Sequence, residues 1–169
     1  LDAVALAAGK LAAAQSPLRL QLTVAGEFMD PEARAEFDER ISRQDLKDTE
    51  GRPLVDYAGF VSGEKKNKAF LEADCFCFPT YYYAESFGLV LVEAMSFGLP
   101  VITSRWRSVP ELLPADYDGL VDPQQPGQIA DALGRLMETC SGETMRQLFV
   151  KHYHQDRHLE NLARAMHSL

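Results

Sequence analysis

The stretch from Pro79 to Val101, PTYYYAESFGLVLVEAMSFGLPV, decides how the chain is read. The apolar run Cys75–Phe78 just ahead of it reads as a short strand. A loop, Pro79–Glu85, comes next, then an apolar helix, Phe87–Phe97, stopped by Gly98 and Pro100. Val101–Thr103 is a second strand. Ser86 is a good N-cap for the helix. Gly88, within its first turn, costs about 1 kcal/mol of helix stability against Ala, and a glycine there lets another molecule approach the backbone closely. The free N–H groups of Phe87, Gly88 and Leu89, with the positive helix end, suit an anion such as a diphosphate.

Two glutamates bracket this helix start. With Ser86 as cap, Glu85 lies in the loop and Glu93 about two turns inside the helix. Helical side chains lean back toward the N-terminus, so Glu93 can aim at a ligand over that end. Leu89, Val90, Leu91 and Val92 surround Glu93, which reads as a helix buried nearly all round. A carboxylate in such a place needs hydrogen-bond donors. Two ligand hydroxyls, such as those of a ribose, would satisfy both oxygens; a neighbouring Lys or Arg, or a capping role, would serve as well.

Outward from this segment, strands bounded by glycine alternate with helices. Leu1–Ala14 reads as helix, Leu18–Ala25 as strand, Pro31–Thr49 as a charged helix, Gly51-Arg52-Pro53 as a turn and Leu54–Ala58 as strand. Glu64–Ala73 is helical. After Thr103 come a short helix Val109–Leu113, a short strand Leu120-Val121 and helices over Pro126–Thr139, Glu143–His152 and Arg157–His167. This alternation is that of a single α/β domain over 1–169, a Rossmann-like three-layer sandwich with a parallel sheet. Ligands in such sheets bind at the carboxyl ends of the strands. Five loops should therefore line one rim: Gly26–Asp30, Gly59–Gly63, Pro79–Gly88, Ser104–Val109 and the turn at Asp122.

Composition removes several function classes. The 169 residues are 46% apolar with 11 Gly and 9 Pro, which excludes disorder and collagen-like order. The longest apolar stretch, Phe87–Val92, is far short of a membrane span. With 17 basic and 25 acidic residues the net charge is −8, a field that repels nucleic acid. Cys75, Cys77 and Cys140 read as small buried apolar residues in a reducing cytoplasm, since Cys75 and Cys77 are too close in sequence for a zinc pair. His154 and His158 have a spacing that can bind metal, but the other features of a metal site are missing, so no metal is expected. The chain opens without Met and already in helix, and it reads as a piece of a longer protein.

The glutamate pair resembles the E-x7-E motif of retaining, metal-independent glycosyltransferases of the GT-B fold, in the large group that uses nucleotide-sugar donors, the glycosyl transferases group 1. Other segments fall in the same family order: Val24-Ala25-Gly26, Tyr57-Ala58-Gly59-Phe60-Val61, Ala73-Asp74, Glu93-Ala94-Met95, Gly98-Leu99-Pro100-Val101, Pro110-Glu111-Leu112 and Gly119-Leu120-Val121. The resemblance implies a donor-binding, C-terminal half of a GT-B enzyme whose acceptor is held by an N-terminal domain. It implies that Glu93 binds the ribose hydroxyls, that Glu85 acts beside the donor sugar and that the amides of Ser86, Phe87, Gly88, Leu89 and Val90 lie along the diphosphate and sugar. The main chain at Phe60 and Val61 would contact the base. It also implies a cytoplasmic protein that uses no cofactor and meets the inner membrane face only through its N-terminal domain.

Two features depart from the family pattern. The loop Thr80–Ala84 is longer and richer in tyrosine than the usual link. The family's first strand of this domain, with the Arg and Lys that hold the donor phosphates, should precede Leu1, so this chain alone is expected to be inactive. A nucleotide-sugar epimerase or glycan synthase on the same fold, and a non-catalytic nucleotide-binding module, are the competing readings.

Overall fold

The computed structural model describes residues 1–139 and 142–167, without the side chains of His158 and Asn161. The chain divides into two compact units, each built on its own parallel sheet. The first comprises Leu1–Lys68 with Pro126–Asp131; the second comprises Ala69–Gln125 and the chain from Ala132 onward.

In the first unit, α1 (Asp2–Ala13), β1 (Leu22–Ala25), α2 (Pro31–Ile41) and β2 (Val55–Gly59) follow in order. β1 and β2 pair in parallel, Leu22 opposite Val55 and Val24 opposite Tyr57, with a register shift before Ala25 meets Gly59. Leu46, Leu54 and Val55 form its buried centre, covered by Val4 of α1, by Leu22 and Val24 of β1, and by Phe37 and Ile41 of α2. Two expected elements are shorter than the sequence suggests. Residues 18–21 are not strand, because β2 begins only at Val55 and offers no partner before it. α2 stops at Ile41 rather than running to Thr49, since Arg43 turns extended and a short 3-10 turn, Gln44–Leu46, takes over.

Asp48 then closes the turn into β2. Its carboxylate accepts from the amides of Glu50 and Arg52 at 2.9 and 2.8 Å and from Arg52 Nε at 2.7 Å. Gly51 supplies the left-handed residue, at φ +79°. These donors, above all the Arg52 amide, hold the Asp48 carboxyl below its ordinary value.

In the second unit, β3 (Phe76–Phe78), β4 (Val101–Ser104) and β5 (Leu120–Val121) form a parallel sheet with β4 in the middle. All four residues of β4 are buried, as a strand covered on both faces requires. α4 (Leu89–Ser96) turns Leu91, Ala94 and Met95 into a core shared with Leu99, Val101, Val109, Leu112 and Met145. α4 is one-sided rather than buried all round, for Leu89 is 70% exposed and Val90, Val92 and Glu93 are half-buried.

The remaining helices are α3 (Gly63–Glu72), α5 (Pro126–Thr139), α6 (Gly142–His152) and α7 (Gln155–His167). The last turn of α4 meets the first of α6 closely. Gly98 faces Gly142 there, and Arg146 Nη1 donates to the Ser96 carbonyl at 2.5 Å. The thiols differ from expectation: Cys75 is half-buried and Cys77 exposed, because Phe76 and Phe78 take the core-facing side of β3. Cys140 lies outside the described residues.

Candidate functional site

The loop from β3 to α4 is built around Gly88. This residue is left-handed (φ +68°, ψ +49°), so α4 begins at Leu89 and not at Phe87. Ser86 is therefore not the cap. Gly88 itself is the cap residue and no side chain caps α4; Glu85 instead holds the turn before it, its Oε1 accepting the Gly88 N–H at 2.9 Å while its own amide donates to the Tyr82 carbonyl at 3.1 Å. A carboxylate at this end is favoured by the helix dipole. Glycine is required at position 88 by its φ, and an added Cβ would also stand 3.0 Å from Leu91 Cδ1.

The later start moves Glu93 to the fifth helical residue, little more than one turn from the N-terminus. The Gly88 amide already has its acceptor. Leu89 and Val90, in the first turn, have no intrahelical acceptor for theirs. The helix end thus keeps donors and positive potential between two half-buried carboxylates.

A second loop braces the first. Beyond β4, the Arg105 amide donates to the Val121 carbonyl at 2.7 Å and the Trp106 amide to the Ser104 carbonyl at 2.8 Å. Trp106 Nε1–H then donates to the Tyr82 carbonyl at 2.8 Å, and the Ser108 hydroxyl donates to the Ser86 carbonyl. Arg107 is held at φ +48°, its guanidinium 5.9 Å from the Trp106 ring centre. The Ser104–Val109 loop is expected on the rim, but nothing in the sequence assigns Trp106 this bracing role. Its one signal was a polar-edged aromatic immediately after a strand on the same rim as Glu85.

The expected site residues distribute as follows. Glu85, Ser86, Phe87, Gly88, Leu89, Val90 and Glu93 share the loop and first turns of α4 in the second unit. Phe87 is 42% exposed and meets Tyr153 edge-on. Tyr153 donates its hydroxyl to the Leu112 carbonyl at 2.9 Å, and burial pushes that phenol up. Tyr81, Tyr82 and Tyr83 are exposed. Phe60 and Val61 belong to the first unit, directly after Gly59 at the carboxyl end of β2; Phe60 is 66% exposed and Val61 half-buried.

In that unit Tyr57 donates to the Gly26 carbonyl at 2.7 Å, and Arg34 lies 4.3 Å from the Tyr57 ring centre. Among the described residues no three His, Cys, Asp or Glu side chains converge as a metal site. Of the two histidines spaced four apart, His154 and His158, the side chain of the latter lies outside the described residues.

The family model of the glycosyl transferases group 1 matches residues 1–139. The chain belongs to that family, in keeping with its alternating α/β units and parallel sheets. It is 32% identical to sulfoquinovosyl transferase SQD2 of Arabidopsis thaliana over 124 residues, 72% of this chain and 24% of that protein. It is 39% identical to the D-inositol 3-phosphate glycosyltransferase of Mycobacterium bovis over 74 residues, 43% of this chain and 15% of that protein. The Anabaena protein HepE, crystallised with UDP-glucose, superposes with a TM-score of 0.73 at 19% identity, over 99% of this chain and 44% of HepE. This chain therefore spans a quarter or less of these curated relatives. Among the described residues no helix is long and apolar enough to cross a membrane.

Proposed function

We propose that the protein transfers a sugar from a nucleotide-diphosphate donor to an acceptor with retention of anomeric configuration, and that this chain is its donor-binding half. The observation that carries the reading is the pair of half-buried carboxylates, Glu85 and Glu93, flanking the open N-terminal turn of α4 in a chain of this family. Glu93 takes the ribose hydroxyls through its two oxygens. Glu85 stands beside the donor sugar. The amides of Ser86, Phe87, Leu89 and Val90 follow the diphosphate, while Gly88 contributes its left-handed backbone. The main chain at Phe60 and Val61 takes the base. HepE, similar in fold, was crystallised with UDP-glucose, which supports a donor of this chemical class.

The chemistry asked of these groups is electrostatic. As the glycosidic bond to the diphosphate breaks, negative charge grows on the leaving oxygen. Backbone donors and a helix end worth roughly half a positive charge favour that charge without reorganising. Attack by the acceptor on the face the diphosphate leaves preserves configuration and needs no protein nucleophile. Within this chain the diphosphate is held by amides, and no metal ion is required. The acceptor belongs to an N-terminal domain of the complete polypeptide, which works in the cytoplasm and reaches the inner membrane face through that domain.

The test is turnover by the complete polypeptide on a panel of nucleotide sugars in EDTA, with NMR assignment of the product anomer. The reading expects retained configuration, activity undiminished by EDTA and a loss of roughly 100-fold or more in Glu85→Gln. An inverted product, or epimerised donor without transfer, contradicts it.

A further inference from the structure

We infer that Trp106 and Ser108 are positioning residues for the transfer step, acting through the backbone of the loop that carries Glu85; the inference rests on the donor-site reading above. The geometry is a two-point clamp. Trp106 Nε1–H holds the carbonyl of Tyr82, and the Ser108 hydroxyl holds the carbonyl of Ser86. Glu85 lies between those points, and its amide donates to the same Tyr82 carbonyl that Trp106 engages. Its carboxylate is fixed in turn by the Gly88 amide at 2.9 Å. Among the described residues, the hydrogen bonds named here to Glu85 and to the carbonyls of Tyr82 and Ser86 come from the loop's own turn and from Trp106 and Ser108.

The clamp is itself anchored on the sheet. The Arg105 amide bonds to Val121 of β5 and the Val109 amide to the Trp106 carbonyl at 3.1 Å, while Val109 is fully buried in the core. Between the clamp points the loop buries little side chain, for Tyr81, Tyr82 and Tyr83 are all more than half exposed. A loop with little buried side-chain area opens easily unless hydrogen bonds restrain it. A carboxylate that must stand at one place beside a reacting sugar loses its advantage with displacements on the order of 1 Å. Two bonds from a rigid segment to the carbonyls on either side of Glu85 supply that restraint.

The experiment uses the complete polypeptide with Trp106→Phe, which keeps the ring and removes the N–H, and with Ser108→Ala and Ser108→Thr. Steady-state kinetics, thermal midpoint and amide hydrogen exchange across residues 81–88 are measured for each. Trp106→Phe and Ser108→Ala should each lower kcat roughly 10-fold and speed exchange in that segment, with donor KM and thermal midpoint nearly unchanged. Ser108→Thr should restore the rate. In a Glu85→Gln background the Trp106→Phe change should add no further loss, since both act through one carboxylate. Unchanged kcat in Trp106→Phe and Ser108→Ala, with Glu85→Gln still impaired, overturns the clamp alone. So does a loss that persists in full beside Glu85→Gln, or one that merely tracks the thermal midpoint. Full activity in Glu85→Gln overturns the donor-site reading, and the clamp's role with it.

Discussion

Gly119 stands where any side chain would strike the sheet. A Cβ there would lie 2.1 Å from the Val101 carbonyl oxygen and 2.6 Å from Tyr117 Cε1. Backbone on one side and a ring on the other cannot both yield. Gly119→Ala should lower unfolding free energy by about 3 kcal/mol in urea denaturation, at the upper end of overpacking effects. Ser104 makes the opposite case. It is fully buried at the end of β4, and its hydroxyl has no hydrogen-bond partner among the described residues. Removing a buried unsatisfied hydroxyl relieves its desolvation, so Ser104→Ala should raise stability by about 1 kcal/mol, read as a higher thermal midpoint. At this scale the glutamate spacing was legible in the sequence, whereas the conformation of Gly88 was not. A glycine after Ser86 fits a capped helix start as well as a left-handed turn, and only the backbone separates the two. The consequence was a misplaced cap and a Glu93 set one turn too deep.

Among the elements, the end of α2 shows what pattern alone misses. The charged run beyond Ile41 has helix propensity, yet Asp48 gathers its donors locally and turns the chain into β2. Short polar side chains that bond nearby amides compete with helix, and a periodicity argument does not weigh them. The sign of the pH effect follows from the depressed carboxyl. Its folded-state value lies below the ordinary 3.8, so the stabilisation is present in full above that value and is lost as pH falls through the folded-state one. Asp48→Asn should therefore lower the thermal midpoint at neutral pH, and the wild-type advantage should shrink below about pH 4. An advantage constant from pH 7 to pH 2 would remove the carboxylate from the account. Elsewhere the elements were read closely: α5 matches its expected bounds, and β5 is the short strand foreseen. Glycine and proline punctuate both, and their apolar pattern has no local competitor.

For the molecule as a whole, the α/β alternation, parallel pairing and family were legible because they rest on many weak signals in fixed order. The division into two compact units was not legible, since no linker composition marks it. Of the expected site residues, Phe60 and Val61 belong to one unit and Glu85 to Glu93 to the other. The donor reading stands on Glu93 holding a nucleotide through its ribose, and calorimetric titration of the complete polypeptide in EDTA with UDP, GDP and ADP, beside Glu93→Ala, measures this directly. Binding of one nucleotide, weakened roughly 10- to 100-fold or more in Glu93→Ala, is the predicted result, as expected when charge-assisted hydrogen bonds are removed. No binding by the folded protein, or equal binding by Glu93→Ala, would contradict it.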